Sequence, residues 1–456
     1  MVKRRRWKSK LQVRGVIMKK VVKFGGSSLA NAEQFQKVGD IIRSDESRRY
    51  VVPSAPGKRF DEDIKVTDML YGCYDAASKG EDITEKINAI KARYYEIIKG
   101  LGLSLSLEEE FKKIDEDFRA QAGIQYAASR GEFLNGKIMA AYLGYEFIDA
   151  AEVIVFDENG NFDGDKTHKI LSERLENTER AVIPGFYGAK PDGSIQTFSR
   201  GGSDITGSIV AKAVHADMYE NWTDVSGFLI ADPRIIKNPK PIDVITYREL
   251  RELSYMGATV LHEDAIFPVR KEGIPINIRN TNAPEDKGTL IVEDTCRKPR
   301  FTITGIAGKK DFASITIEKA MMNSEVGFCR KVLEVFENNN ISIEHMPSGI
   351  DTMTIFVHRD EFEEKEQDVI AGIHRAVEPD FLELESDLAL IAVVGRGMRA
   401  TRGTSGRIFA ALAHANVNVK MIDQGSSELN IIIGVENRDF ETAIKAIYDI
   451  FVVAQI

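Results

Sequence analysis

Residues 21–28, Val-Val-Lys-Phe-Gly-Gly-Ser-Ser, constrain this chain most, because an apolar run breaks there into a turn that has no side chains. Val21 and Val22 read as the end of a buried strand. Gly25 and Gly26 let the backbone approach a ligand closely or take a positive φ. The next pattern is helical: Phe35, Val38, Ile41 and Ile42 share one face, and Asn31 with Gln34 is placed as a capping box at its start. Strand, bare turn and helix N-terminus together make an anion site, to which Lys23 adds a full positive charge. The Gly-Lys-Ser/Thr ending of a Walker A loop is missing. A tight turn with a solvated lysine is the plainer alternative.

A second strand-to-turn unit follows at Tyr50-Val51-Val52-Pro53-Ser54-Ala55-Pro56-Gly57, so the opening is βαβ-like and predicts a parallel sheet. Residues 58–122 are rich in Lys, Glu, Leu and Ala at helical spacing and read as a helical excursion. Ser129-Arg130-Gly131-Glu132 then leads an Ala/Met/Leu-rich helix to Leu143. Further strand candidates are Tyr145–Asp149, Ala181–Ile183 and Asp217–Trp222, and sites in open α/β sheets lie at the carboxyl ends of strands. Residues 235–292 read as helices and strands closing this first domain.

A chain of 456 residues has room for two or three domains. No window offers eighteen uninterrupted apolar residues, so neither a membrane span nor a membrane partner is expected. A net charge of −9 argues against a general nucleic-acid binder. Residues 1–17 hold seven Lys/Arg and no acid, without the apolar stretch of roughly 7–15 residues of a signal peptide. They are expected to be a disordered extension, with Met18 as the natural start. Cys73, Cys296 and Cys329 form no zinc spacing or disulfide framework, which suits a reducing cytoplasm.

The C-terminal part contains an internal repeat. Val332-Leu333-x-x-Phe336-x-x-x-Asn340-Ile341-x-Ile343 matches Ile408-Phe409-x-x-Leu412-x-x-x-Asn416-Val417-x-Val419, and the offset of 76 also pairs Gly327 with Gly403. Each copy is a glycine turn, an amphipathic helix and two strands. The period is far too long for a solenoid and implies two small α+β modules.

Two more stretches carry chemistry. Phe198-Ser199-Arg200-Gly201-Gly202-Ser203-Asp204 leads into an Ala/Val-rich helix from about Ile205 to Val214, again baring amides at a helix start. Arg200 can fork onto a carboxylate, and Asp204 beside a phosphate site can bind Mg²⁺ through water or orient a lysine. Asn221-Trp222-Thr223-Asp224-Val225-Ser226-Gly227, followed by Ala231-Asp232-Pro233-Arg234, offers acceptors for a ribose or an adenine edge. Asp-Pro-Arg is also common turn chemistry.

In this order, and followed by the duplicated module, Lys23–Ser28, Ser129–Glu132, Arg200–Asp204 and Trp222–Val225 resemble the aspartate kinases of the amino-acid kinase family, over nearly the whole of Met18–Ile456. The resemblance implies an α/β, amino-acid-kinase-like sandwich with a mainly parallel sheet over residues 18–295. Two ferredoxin-like ACT modules would follow over 296–456, at about 306–375 and 385–456. It implies transfer of the γ-phosphoryl of MgATP to the β-carboxylate of L-aspartate. That nucleophile is ionised at neutral pH and needs no general base, so the task is to position anions and neutralise charge. By motif match Lys23 and Asp204 are catalytic. Glu132, Arg200, Ser203, Ser54, Thr67 and Phe186 would hold aspartate, with Arg200 on its α-carboxylate and Glu132 on its ammonium. Lys23, Gly25, Gly26, Ser27, Thr223, Asp224, Asp232 and Arg234 would hold ATP. No protein-built metal site is expected. The family's Gly-Ala-Lys-Val-Leu-His-Pro reads Gly257-Ala258-Thr259-Val260-Leu261-His262-Glu263 here, so one positive contact is lost at Thr259; Ser54-Ala55-Pro56-Gly57-Lys58 is also more proline-bound than usual.

ACT-like modules imply feedback by an amino acid, lysine or lysine with threonine, and a homodimer or larger assembly. The effector candidates are Met322, Ser324, Gly327, Phe328, Glu344, Ser348, Gly349 and Asp351. The competing expectations are a kinase acting on another amino acid such as glutamate, or a catalytically weak amino-acid sensor.

Overall fold

The computed structural model describes residues 18–199, 201–258, 263–295 and 299–454. Its strands are β1 (Lys20–Phe24), β2 (Arg48–Pro53), β3 (Glu146–Phe147), β4 (Ala181–Val182), β5 (Tyr187–Ala189), β6 (Ile195–Thr197), β7 (Met218–Thr223) and β8 (Val244–Thr246). There follow β9 (Ile276–Asn280), β10 (Thr289–Val292), β11 (Gly305–Glu318), β12 (Thr352–His358), β13 (Phe381–Val394), β14 (Met421–Asp423) and β15 (Asn430–Glu436). The chain forms two compact units. One takes residues up to 226 together with 261–287; the other takes 227–260 and 288 onward. The expected boundary lay at 295, whereas residues 227–260 group with the C-terminal part.

In the first unit β3, β4, β2, β1, β7 and β9 lie side by side in that order, every pair parallel, as the βαβ opening predicts. Side chains on a strand alternate between faces. Val22 and Phe24 face a large apolar core built with the helices Ala32–Arg43, Val66–Ser78, Thr84–Gly100, Glu108–Arg119 and Ile124–Leu143. The three middle helices are the predicted excursion. Residues of the other face meet the helix Gly202–Ala213. Alternation thus sorts polar residues too. Lys23, Tyr219 and Asn221 look toward Asp204, while Lys20, Glu220 and Trp222 share the opposite face, where Arg48 joins them.

The glycine turn departs from expectation in one respect. Residues Gly26–Leu29 form a 3₁₀ turn, which separates the glycines from the helix; that helix starts at Ala32 as the Asn31 cap predicts, with Asn31 Oδ1 accepting from Gln34 N at 2.9 Å. The reciprocal half of the capping box is not made: Gln34 Oε1 accepts no hydrogen bond among the described residues, while its Nε2 donates to Asn282 Oδ1. The amides at Gly25–Gly26 therefore belong to a tight turn and not to an α-helix N-terminus. The second helix begins at Gly202, three residues earlier than predicted, and that brings Asp204 into its first turn.

In the second unit β8 and β10 pair in parallel, and β12, β11, β13, β15 and β14 form one antiparallel sheet. The repeat is visible in the backbone. Gly327 and Gly403, Asn340 and Asn416, and Asp311 and Asp387 are pairs 76 apart that share positive φ. The modules are not strung in series, however. β11 and β13 are each 14 residues long and pair along their length, with register breaks between Lys309 and Ser314. The half of β11 beyond the breaks, from Phe312 to Glu318, also pairs with β12, and the other half of β13, from Leu388 to Val394, pairs with β15. Among the described residues no helix is long and apolar enough to cross a membrane.

Candidate active site

The carboxyl ends of β1, β2, β4 and β7 converge in the first unit, and the loops leaving them hold most of the motif residues. At the end of β1, Lys23 is largely buried and its Nζ lies 2.6 Å from Asp204 Oδ1. Asn221 Nδ2 donates to the same oxygen at 2.9 Å, and the Tyr219 hydroxyl donates to the Asp204 carbonyl at 3.1 Å. The Lys23 ammonium is therefore aimed by a carboxylate that is itself held by the neighbouring strand. Nothing in the sequence assigns Tyr219 a role, or Asn221 one beyond opening the 221–227 stretch. Their alternation on β7 opposite Lys23 was the signal available, and it needed the strand register to be known.

The two glycine turns pack together because neither has a side chain at the crossing. Gly25 N donates to Trp222 O at 3.0 Å, and Gly57 N donates to Gly26 O at 2.8 Å. A Cβ on Gly26 would stand 2.9 Å from Ala55 O, and one on Gly57 would stand 2.6 Å from the Gly26 carbonyl carbon. Ser27 is exposed beside this crossing, while Ser28 is buried and shares a hydrogen bond with Thr281 at 2.8 Å. Thr223 ends β7, with its hydroxyl on Asp224 Oδ1 at 3.1 Å.

Glu132 lies buried on the helix Ile124–Leu143, where burial pushes its carboxyl up to about 8. The Ala55 N–H and the charges of Lys23 and Arg130 oppose that rise but do not cancel it. Its Oε2 has no hydrogen-bond partner among the described residues. Gly131 lets the loop after β2 reach this helix: a Cβ there would sit 2.8 Å from Ala55 Cβ, with Thr67 Oγ1 at 3.9 Å. Arg130 forms no ion pair with a carboxylate among the described residues. It donates to Ser129 Oγ at 2.9 Å and lies over the rings of Tyr126, Phe133 and Tyr187. After β4, Phe186 takes a left-handed φ of 81°, its N–H donates to Thr206 Oγ1 at 3.1 Å, and its ring occupies the space beside Gly202. Ser203 packs against Gly185.

Lys23, Gly25, Gly26, Ser54 and Phe186 thus belong to strand ends or loops, and Glu132, Thr67, Ser203 and Asp204 to the helices packed against them. Asp232 and Arg234 belong to the second unit, where they pair with each other, Arg234 Nη2 to Asp232 Oδ2 at 2.6 Å. Arg200 and Thr259 lie outside the described residues. Among the described residues no group of three or more His, Cys, Asp or Glu side chains could hold a metal ion.

The effector candidates sit in the second unit. Met322 and Phe328 are buried in the core of the first module, while Ser324, Gly327, Ser348 and Gly349 are exposed. Asp351 Oδ1 accepts from Met321 N at 2.9 Å. Glu344 takes the Tyr255 hydroxyl and lies 3.5 Å from His358 Nε2.

A profile described as the amino acid kinase family matches residues 18–280, and one described as an ACT domain matches 391–451. Aspartokinase 3 of Bacillus subtilis is 40% identical over 457 residues, covering 95% of this chain and 98% of its own. The crystal structure of Clostridium acetobutylicum aspartate kinase, described as an allosteric enzyme, superposes with a TM-score of 0.87 at 52% identity, covering 95% of this chain and 99% of its own. Escherichia coli aspartokinase III in complex with lysine and aspartate shares the fold, with a TM-score of 0.71 at 24% identity, covering 94% of this chain and 99% of its own.

Proposed function

This chain belongs to the amino acid kinase family and is an aspartate kinase with C-terminal ACT modules, and on that footing we propose which residues perform the transfer. The supporting observation is the Lys23–Asp204 pair, set between the turn at Gly25 and the first turn of the helix Gly202–Ala213. Lys23 would meet the γ-phosphoryl group of ATP, with the Gly25–Gly26 amides beside it and Thr223 and Asp224 toward the nucleoside. An aspartate β-carboxylate oxygen attacks γ-phosphorus as the bond to the ADP oxygen breaks, giving 4-phospho-L-aspartate and ADP. The nucleophile is already ionised, so no group on the enzyme takes a proton.

What the enzyme supplies is charge placed where the transferring oxygens go. Asp204 keeps the Lys23 ammonium in line. Glu132 would take the substrate ammonium, and Arg200 by motif its α-carboxylate. Ser54, Thr67, Phe186 and Ser203 would complete the aspartate site. Asp204 would hold hydrated Mg²⁺ carried by the nucleotide, an ion that would supply neutralisation of phosphate charge. The product is a mixed anhydride of the kind that opens biosynthesis of lysine, threonine and methionine.

Lysine, or lysine with threonine, is the proposed effector, recognised by Glu344 and Asp351 through its ammonium groups. Titrating each amino acid into the assay tests this, and a rate unmoved by both removes the regulatory reading. Lys23→Ala and Asp204→Ala are expected to lower kcat by about 10³-fold or more with the fold kept, as judged by circular dichroism. Activity near wild type in either would reject its role.

A further inference from the structure

We infer that Asn135 is a positioning residue of the aspartate site, one that grips the Ser54–Ala55 peptide so that this peptide's N–H is held on Glu132. The inference rests on the proposed placing of the substrate ammonium at Glu132. Glu132 and Asn135 are three apart on the helix Ile124–Leu143 and share a face. Asn135 Nδ2 donates to Ser54 O at 2.6 Å, and the Ala55 N–H donates to the Glu132 carboxyl. That carbonyl and that N–H are opposite ends of one planar unit. One helix face therefore holds both ends and fixes the tilt of the peptide about its own axis.

The surroundings reinforce the grip. Gly131 lets Ala55 lie flat on the helix, and the Tyr94 hydroxyl donates to Gly131 O at 2.8 Å. Beyond Ala55 the same loop is anchored on Gly26 through Gly57, a contact that does not pass through Asn135, so the phosphate turn keeps its place when the peptide is released. Two buried oxygens on this face, Glu132 Oε2 and Asn135 Oδ1, have no hydrogen-bond partner among the described residues. An ammonium group, with three N–H donors, suits two such acceptors. The charged and titratable groups facing Glu132 are Lys23 from β1, Arg130 on its own helix, and the phenols Tyr71, Tyr94 and Tyr187.

The test is steady-state kinetics of Asn135→Leu, which removes the donor at similar volume, and of Asn135→Ser, whose hydroxyl is too short to reach Ser54 O. Glu132→Gln is run in parallel. Both Asn135 variants are expected to raise KM for aspartate about tenfold with KM for ATP within about twofold, since a hydrogen bond that orients a charged group is lost. The pH above which that KM levels off should also rise by about one unit, because Glu132 loses its Ala55 donor. A residue serving only the core would lower Tm and leave that pH unmoved. A folded variant of either kind with wild-type aspartate KM and pH profile overturns the clamp alone, provided Glu132→Gln weakens aspartate. If Glu132→Gln leaves aspartate binding unchanged, the ammonium assignment fails and the clamp fails with it.

Discussion

Glu132 shows how a single buried side chain sets a pH response. Its folded pKa of about 8 lies above the ordinary carboxyl value, so the free enzyme holds a proton there at neutral pH. An incoming ammonium requires the carboxylate, so aspartate binding should release a proton, and the apparent KM should fall about tenfold per pH unit below 8 and flatten above it. Calorimetry in two buffers of different ionisation enthalpy measures the proton directly, and Glu132→Gln should abolish the release. The same raised pKa means that the unliganded protein loses stability as pH climbs from the ordinary carboxyl range toward 8. At this scale the sequence was informative for residues whose role is announced by a neighbour, such as Lys23 before its glycines and Asp204 after its own. It was silent on the roles of Asn135, Asn221 and Tyr219, which matter only through the elements they touch. An asparagine inside a helix carries no mark of the distant peptide it holds.

At the scale of elements, the sheet of the first unit is pinned on the face away from Asp204 by a buried ion cluster. Glu220, 1% exposed, accepts from Arg48 Nε at 2.8 Å and Trp222 Nε1 at 2.9 Å, and Lys20 lies 3.2 Å away. Burial raises both carboxyls, but hydrogen bonds from Lys20 and Ser47 outweigh it to hold Asp45 well below the usual carboxylate range, and Arg48 and Lys20 outweigh it to hold Glu220 down. Depressed folded pKa values contribute stability above the unfolded carboxyl range and lose it as pH falls through them. Acid should therefore unfold this unit. Glu220→Gln should cost about 3 kcal/mol by leaving Arg48 without its carboxylate, read from the urea midpoint at pH 7, and the acid loss is read from midpoints at pH 4 and pH 2, below the range in which Glu132 titrates. Gly57→Ala is expected to force the two turns apart and raise KM for ATP, because its Cβ would stand 2.6 Å from the Gly26 carbonyl carbon. The parallel order of the sheet was legible from the βαβ opening. The 3₁₀ turn was not, since four residues are too few to show a period.

At the scale of the whole chain, the offset of 76 in the sequence reappears as matched left-handed residues, yet the way the copies share strands could not be read from it. Periodicity reports similar segments, whereas pairing partners depend on which edges remain open. The first module also shows aliphatic side chains to solvent: Val326 is 97% exposed, with Ile350 and Met321 close to 70%. Exposed aliphatics of this kind suit an interface between copies. Val326→Asp with Ile350→Asp is expected to shift the chain toward monomer in analytical ultracentrifugation while aspartate turnover without effector persists. The shared strands have one more consequence. Because the segment from Phe312 to Ser386 leaves and rejoins its host at paired neighbours, Phe312 opposite Leu388, it is topologically an insert. It should be transplantable as a cassette from a relative with a different effector, whereas a cut after Asp380 would strip both modules of a strand and leave neither able to close.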